Sequence, residues 1–331
     1  MKKVLTMTLN PCIDRTEYYE SFQVGATNIV KKAMEEAAGK GINVAVGLQH
    51  LHIPVKAMGF AYKEDLYKLY EKLDAEQISH SFVEVDGHLR VNRKLFDESK
   101  SEMTECNEKG SEVSKEDVDK LLELLAEELM DASILVLSGS APPGVSTDIY
   151  ARMTSMANEA GVKVILDASG ELLRKGVKAK PYLIKPNKDE FVKTFLIGGE
   201  EKRLDKSDET KTNLDVCRNM ESESDQKAEF ENELQNIAGI LLKEGVSYIC
   251  LSMGADGARL MSLTEDETVT SNNCPAIPVQ VRSLQGAGDA MVAGLCKAIY
   301  EGQEEKMLDY ALAMAASTIS LEGTQMGRLR L

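Results

Sequence analysis

Basic charge is in short supply. Across 331 residues, 54 Asp and Glu stand against 39 Lys and Arg, a formal net charge of −15. That balance argues against a nucleic-acid partner or an anionic membrane surface, although a few local cations would suffice for a phosphorylated substrate. Cysteine motifs are lacking as well. Cys12, Cys106, Cys217, Cys250, Cys274 and Cys296 are scattered, with no CxxC pair and no histidine cluster beside them. This spacing suits neither a zinc site nor a disulfide framework, so a reducing, cytoplasmic setting is expected. The apolar runs are too short for a transmembrane helix. The opening Met1–Leu9 imitates a signal peptide briefly, but Asn10-Pro11 and Asp14 end it, and it reads better as a first strand. Two nucleotide signatures are also missing: a GxxxxGK[ST] phosphate loop, and a GxGxxG after the first strand. The second absence weakens any dinucleotide-dependent oxidoreductase reading.

What remains is the pattern of a large α/β protein, with 43% apolar and 28% charged residues. Short apolar runs alternate with helical segments. Ser133–Leu137 ends in Ser138-Gly139-Ser140, Val162–Leu166 in Asp167, Tyr182–Ile184 in Lys185-Pro186-Asn187, and Val246–Leu251 in Ser252-Met253-Gly254. Between them lie helices such as 149–160 and the one that Ser114 caps, which carries Val118, Leu121, Leu122, Leu125 and Leu129 on one face. Such alternation implies a parallel sheet buried on both faces, with a ligand crevice beyond the carboxyl ends of its strands. The polar run ends therefore converge on one rim.

Three stretches complete the outline. Residues 37–51 read as a helix starting at Ala38-Gly39-Lys40-Gly41. Residues 12–35, mostly mixed sequence rich in Tyr, Glu and Lys, and the short alternating stretches of 81–107 are assigned to a small β lid, leaving 1–11, 36–80 and 108–331 as the α/β core. Residues 200–233 hold 12 acidic and 6 basic residues and read as a solvated insertion before a helix carrying Leu234, Ile237, Ala238, Leu241 and Leu242.

Gly286-Ala287-Gly288-Asp289 precedes the apolar helical spacing Met291, Val292, Leu295, Ile299. Two glycines at a helix N-terminus let the backbone approach an anion. A carboxylate there cannot neutralise a phosphate, so Asp289 is better cast as a base; the plainer reading is a helix cap.

In order along the chain, Thr8-Leu9-Asn10-Pro11-Cys12-Ile13-Asp14, Ala38-Gly39-Lys40-Gly41-Ile42-Asn43-Val44-Ala45, Thr104-Glu105-Cys106-Asn107, Ser138-Gly139-Ser140-Ala141-Pro142-Pro143-Gly144, Lys185-Pro186-Asn187-Lys188-Asp189-Glu190 and Gly286-Ala287-Gly288-Asp289 resemble the motifs of the ribokinase-like (PfkB) carbohydrate kinases. More narrowly, they resemble the branch containing 1-phosphofructokinase and tagatose-6-phosphate kinase. The resemblance spans nearly everything outside 200–233.

It implies a three-layer α/β/α domain with a mostly parallel sheet and a small β lid, using ATP and Mg²⁺. Asp289 would be the general base, with the N–H groups of Gly286, Ala287, Gly288 and Asp289 as the anion hole. Asp14, Gly39, Lys40, Gly41, Asn43, Arg90, Asn92 and Ser138 would meet the sugar and its existing phosphate. Lys185, Asn187, Ser252, Gly254 and Gly257 would lie along the nucleotide, and Asn187 and Glu190 would act on Mg²⁺ through water. Lys185 stays open between phosphate ligand and plain surface lysine. Asp167 is a weaker candidate, and Arg93, on the opposite strand face from Arg90, is left out.

The expected reaction is phosphorylation of a ketohexose phosphate, fructose 1-phosphate first, then tagatose 6-phosphate, then fructose 6-phosphate. A homodimer through the lid follows from the same resemblance. The rival of another class is a non-catalytic sugar-phosphate sensor, against which Asp289, both glycines and the Asn187/Glu190 pair speak. Three departures bear on the sugar: Ala38 in place of the signature's first glycine, Ile29 where the branch usually has arginine, and Gln285 before the Gly-Ala-Gly-Asp run.

Overall fold

The computed structural model describes residues 2–197, 223–321, 323 and 325–329. The chain opens with β1 (Lys3–Thr8), then β2 (Cys12–Tyr19), β3 (Lys32–Ala38), α1 (Lys40–His50), β4 (Val55–Tyr62), α2 (Leu66–Ala75) and β5 (Ser79–Val85). Next come β6 (Arg90–Asp97), β7 (Glu102–Asn107), α3 (Lys115–Leu129), β8 (Ala132–Ser138), α4 (Ile149–Glu159), β9 (Lys163–Asp167) and α5 (Gly170–Gly176). The remainder is β10 (Leu183–Ile184), α6 (Lys188–Phe191), α7 (Glu223–Lys243), β11 (Tyr248–Ser252), β12 (Ala258–Leu263), β13 (Val269–Cys274), α8 (Ala287–Tyr300) and α9 (Met307–Ile319).

Nine strands form one sheet in the order β13-β12-β11-β10-β9-β8-β1-β4-β5. Every pairing from β11 to β5 is parallel, and β12 and β13 add an antiparallel edge. Apolar residues cover both faces. Leu5, Met7, Leu135, Leu137 and Leu166 pack on the side of α3, α4 and α7, while Val4, Ile134, Val136 and Ile165 pack on the side of α1, α8 and α9. The result is three layers, helices on either side of a sheet buried on both faces. Central placement also explains why Thr6 and Thr8, the polar half of β1's alternation, are buried.

The second sheet has the order β3-β2-β6-β7, antiparallel except where β2 runs parallel to β6. Its limits differ from those expected at two points. Residues 81–85 belong to β5, which pairs with β4 at the edge of the large sheet, so Phe82 and Val83 meet core strands. Ala37 and Ala38 are not helical; they close β3 by pairing with Ile13 and Cys12, and α1 starts only at Lys40.

Ser114 caps α3 by accepting the Asp117 backbone N–H at 3.1 Å. Of the acidic stretch 200–233, residues 200–222 lie outside the described residues. Residues 223–233 are the first turns of α7, whose Leu234, Ala238, Leu241 and Leu242 are buried. The helix thus starts eleven positions ahead of its first buried leucine, in sequence too charged to show an apolar stripe.

Candidate active site

The polar strand ends do collect on one rim. Ser138 closes β8, Asp167 closes β9, Lys185 follows β10, and Ser252 closes β11 beside Asn187, with which it forms an isolated parallel bridge. Helices α1 and α8 bring their N-termini to the same rim. Gly41 lets α1 approach: a Cβ there would lie 2.4 Å from the Met7 carbonyl oxygen and 2.5 Å from Thr8 Oγ1. G41A is therefore expected to cost about 1–3 kcal/mol of stability by overpacking. Urea unfolding checks it.

Gly286 takes a left-handed conformation (φ 73°) and opens α8, leaving the N–H groups of Ala287, Gly288 and Asp289 in the first turn. Asp289 is buried, and its Oδ2 accepts a hydrogen bond from Asn43 Nδ2 at 2.8 Å across 246 sequence positions. Burial raises its carboxyl to about 6; Lys40 opposes the rise, Asp167 adds to it, and Asn43 and Lys185 oppose it. A carboxylate poised there can take a proton at neutral pH.

Asp167 sits between two lysines. Lys40 Nζ donates to Oδ2 at 3.3 Å, and Lys185 Nζ forms an ion pair with Oδ1 at 3.1 Å. Burial alone would raise the Asp167 carboxyl, but Lys185 and Lys40 together outweigh it and hold the group below the ordinary range. In return Asp167 leads the charges that raise Lys40 against its partial desolvation, with Asp289 and Glu190 adding to it. Lys185 is no surface lysine: it is buried, and its Nζ would stand 3.6 Å from a Cβ on Gly288. Ser138 Oγ is buried beside this cluster without a hydrogen-bond partner.

Asn187 and Glu190 form a reciprocal cap on α6. The Glu190 N–H donates to Asn187 Oδ1 at 2.7 Å, and the Asn187 N–H donates to Glu190 Oε2 at 2.8 Å. No group of three or more metal-ligating side chains occurs among the described residues. One amide and one carboxylate suit Mg²⁺, which keeps several waters and binds through few protein oxygens plus substrate phosphates. Gly254 opens a single 3₁₀ turn after β11 and Gly257 follows it, and a Cβ on Gly257 would fall 2.1 Å from the Cys274 carbonyl oxygen.

The small sheet presents a second polar set. Asp14 and Asn92 are register partners on β2 and β6, and Asn92 Nδ2 donates to Asp14 Oδ1 at 3.1 Å. Arg90 donates through Nη1 to Asn92 Oδ1 at 3.0 Å and through Nε to the Asn10 carbonyl at 3.2 Å. Asn10, part of the opening motif but given no role there, links the two sets by donating to Ser140 Oγ at 3.2 Å. Lys94, also passed over, donates to Asp14 Oδ2 at 2.7 Å. The strand parity that separates Arg93 from Arg90 would have found it, since positions 90, 92 and 94 share a face. Ala38 fits where glycine was expected because it lies in β3 and not in the turn. Ile29 is 85% exposed, and Gln285 Oε1 is buried without a partner.

Residues 7–329 match the pfkB family carbohydrate kinases. The chain belongs to that family. A 1-phosphofructokinase from Vibrio cholerae is 31% identical over 327 residues, covering 98% of this chain and 92% of that protein. Among solved structures, the tetrameric inhibited form of phosphofructokinase-2 from Escherichia coli superposes with a TM-score of 0.77 at 24% identity, covering 98% of this chain and 96% of that one. Arabidopsis thaliana ribokinase, complexed with ribose and ATP, gives a TM-score of 0.71 at 19% identity over 97% and 94% of the two chains. The fold is thus ribokinase-like, and the chain is a carbohydrate kinase. No helix among the described residues is long and apolar enough to cross a membrane.

Proposed function

We propose that this pfkB kinase phosphorylates a ketohexose phosphate, with fructose 1-phosphate converted to fructose 1,6-bisphosphate. The observation that carries the phosphoryl-transfer part is the Asp289 carboxylate, buried in the first turn of α8 and bonded to Asn43. Similarity over nearly the full length to a 1-phosphofructokinase supports the choice of sugar. Asp289 takes the proton of the attacking hydroxyl, while the N–H groups of residues 286–289 receive the transferring phosphoryl group.

Gly39, Lys40, Gly41, Asn43, Ser138, Asp14 and Asn92 surround the sugar, and the Arg90 guanidinium meets its existing phosphate. Lys185, Asn187, Ser252, Gly254 and Gly257 follow the nucleotide. Asn187 and Glu190 would hold Mg²⁺ through water, and the ion would offset charge on the ATP phosphates. The enzyme acts in the cytoplasm as a homodimer through the small sheet. Val24, Ile29, Val30, Met34 and Met103 are all exposed on or beside that sheet's strands, which supports the pairing.

A coupled assay of ADP release with Mg²⁺-ATP tests the sugar. Fructose 1-phosphate is expected to give a kcat/KM about 10-fold or more above tagatose 6-phosphate, fructose 6-phosphate and unphosphorylated fructose, given what one well-placed phosphate contact is worth. A preference for either 6-phosphate would replace fructose 1-phosphate as substrate. Turnover of unphosphorylated sugar alone would overturn the ketose-phosphate reading.

A further inference from the structure

We propose that Lys94 is a positioning residue that holds the Asp14 carboxylate in place to receive a sugar hydroxyl. The inference rests on the sugar-kinase reading above and adds a residue to it.

Lys94 is 7% exposed, unusual for a lysine on a four-stranded sheet open at its edges. Its Nζ lies 2.7 Å from Asp14 Oδ2, with 8% of the lysine side chain and 11% of the aspartate side chain exposed. A surface ion pair contributes little, but one this far out of water leaves a large penalty when either partner is removed. The pair is also directional. Lys94 takes Oδ2, Asn92 Nδ2 takes Oδ1, and Asn92 cannot turn over because its own Oδ1 accepts from Arg90. Burial of Cys12, with Asp14 next to it, raises that thiol, so it stays protonated and donates weakly to the same Oδ1 at 3.4 Å.

The carboxylate is therefore fixed at both oxygens by donors on β6 and by Cys12 on its own strand. A carboxylate has about four acceptor positions; Lys94, Asn92 and Cys12 take three, so about one remains for a sugar hydroxyl. Register explains the design. Asp14 pairs with Asn92 and Thr16 with Lys94, so the lysine reaches diagonally back by one pair. Without Lys94 the Oδ2 oxygen of Asp14 would face the sugar with no cation bonded to it, since the Arg90 guanidinium is held on Asn92.

The test compares full-length wild type, K94M, D14N and D14N/K94M, on whichever sugar the wild type turns over, so that the choice of sugar and the role of Lys94 fail independently. K94M is expected to raise the sugar KM by about 10- to 100-fold, as truncating one partner of a buried charge pair does, with the ATP KM unchanged. In the D14N background the same substitution should change the sugar KM by less than about twofold, because nothing is left to position. K94R, which keeps a cation, should recover part of the loss; if K94M does not fold, K94R and K94Q carry the comparison, with only the uncharged variant raising the sugar KM. A sugar KM unchanged in K94M, an equal loss with and without Asp14, or a parallel rise in the ATP KM would each overturn the proposal.

Discussion

D289N is expected to lower kcat by about 10²- to 10⁴-fold, the usual worth of a positioned base, while leaving ATP binding intact. The same substitution should make the protein more stable at neutral pH. In the folded chain the Asp289 carboxyl is raised from 3.8 to about 6, first by burial. Its ionised form is therefore disfavoured relative to the unfolded chain. A raised carboxyl penalises the fold fully above its folded value and not at all below its unfolded value.

Removing the charge should thus restore about 3 kcal/mol at pH 7.5, a gain that shrinks through pH 6 and vanishes near pH 4. Urea unfolding at these pH values measures it. The wild-type acid limb of kcat/KM should likewise fall near pH 6. Retention of more than a tenth of wild-type turnover in D289N would remove this carboxylate from the base's role.

The neighbouring aspartate should respond with the opposite sign. Asp167 is held below the ordinary carboxylate range because Lys185 and Lys40 outweigh its burial. D167N leaves Lys185 buried without a counter-charge, a loss of about 3–5 kcal/mol when one partner of a buried pair is removed. Most of this comes from Lys185, since 42% of the Lys40 side chain is exposed and water can reclaim it. A depressed carboxyl stabilises the fold above its unfolded value and loses that effect as pH falls through its folded value. The D167N deficit should therefore be complete at pH 6–8 and fade below about pH 4. Two aspartates on one rim, one stabilising and one destabilising when neutralised, give a signature that general surface electrostatics would not produce.

The large sheet could be read from the chain because its strands are buried on both faces and carry continuous apolar runs, each stopped by a polar residue. Ser138, Asp167 and Ser252 were placed correctly at strand ends for that reason. The small sheet's strands mix charged and apolar residues instead of forming continuous apolar runs, so its limits were blurred. Ser79–Val85 looks like the same kind of strand as Arg90–Asp97, yet belongs to the other sheet, and only three-dimensional pairing separates them.

Lysine partners were the other blind spot. Nothing local in Lys185-Pro186-Asn187 says that the lysine is buried, because its counter-charge lies on a different strand. The Asn187/Glu190 cap, by contrast, is a four-residue pattern visible in the chain itself.

Strand β3 and helix α1 are joined by Gly39 alone. The backbone that ends the small sheet therefore runs without a slack connection into the helix whose Asn43 donates to Asp289. On the function proposed above, a shift of that sheet as a sugar arrives would be delivered to the Asp289 carboxylate through a lever one residue long.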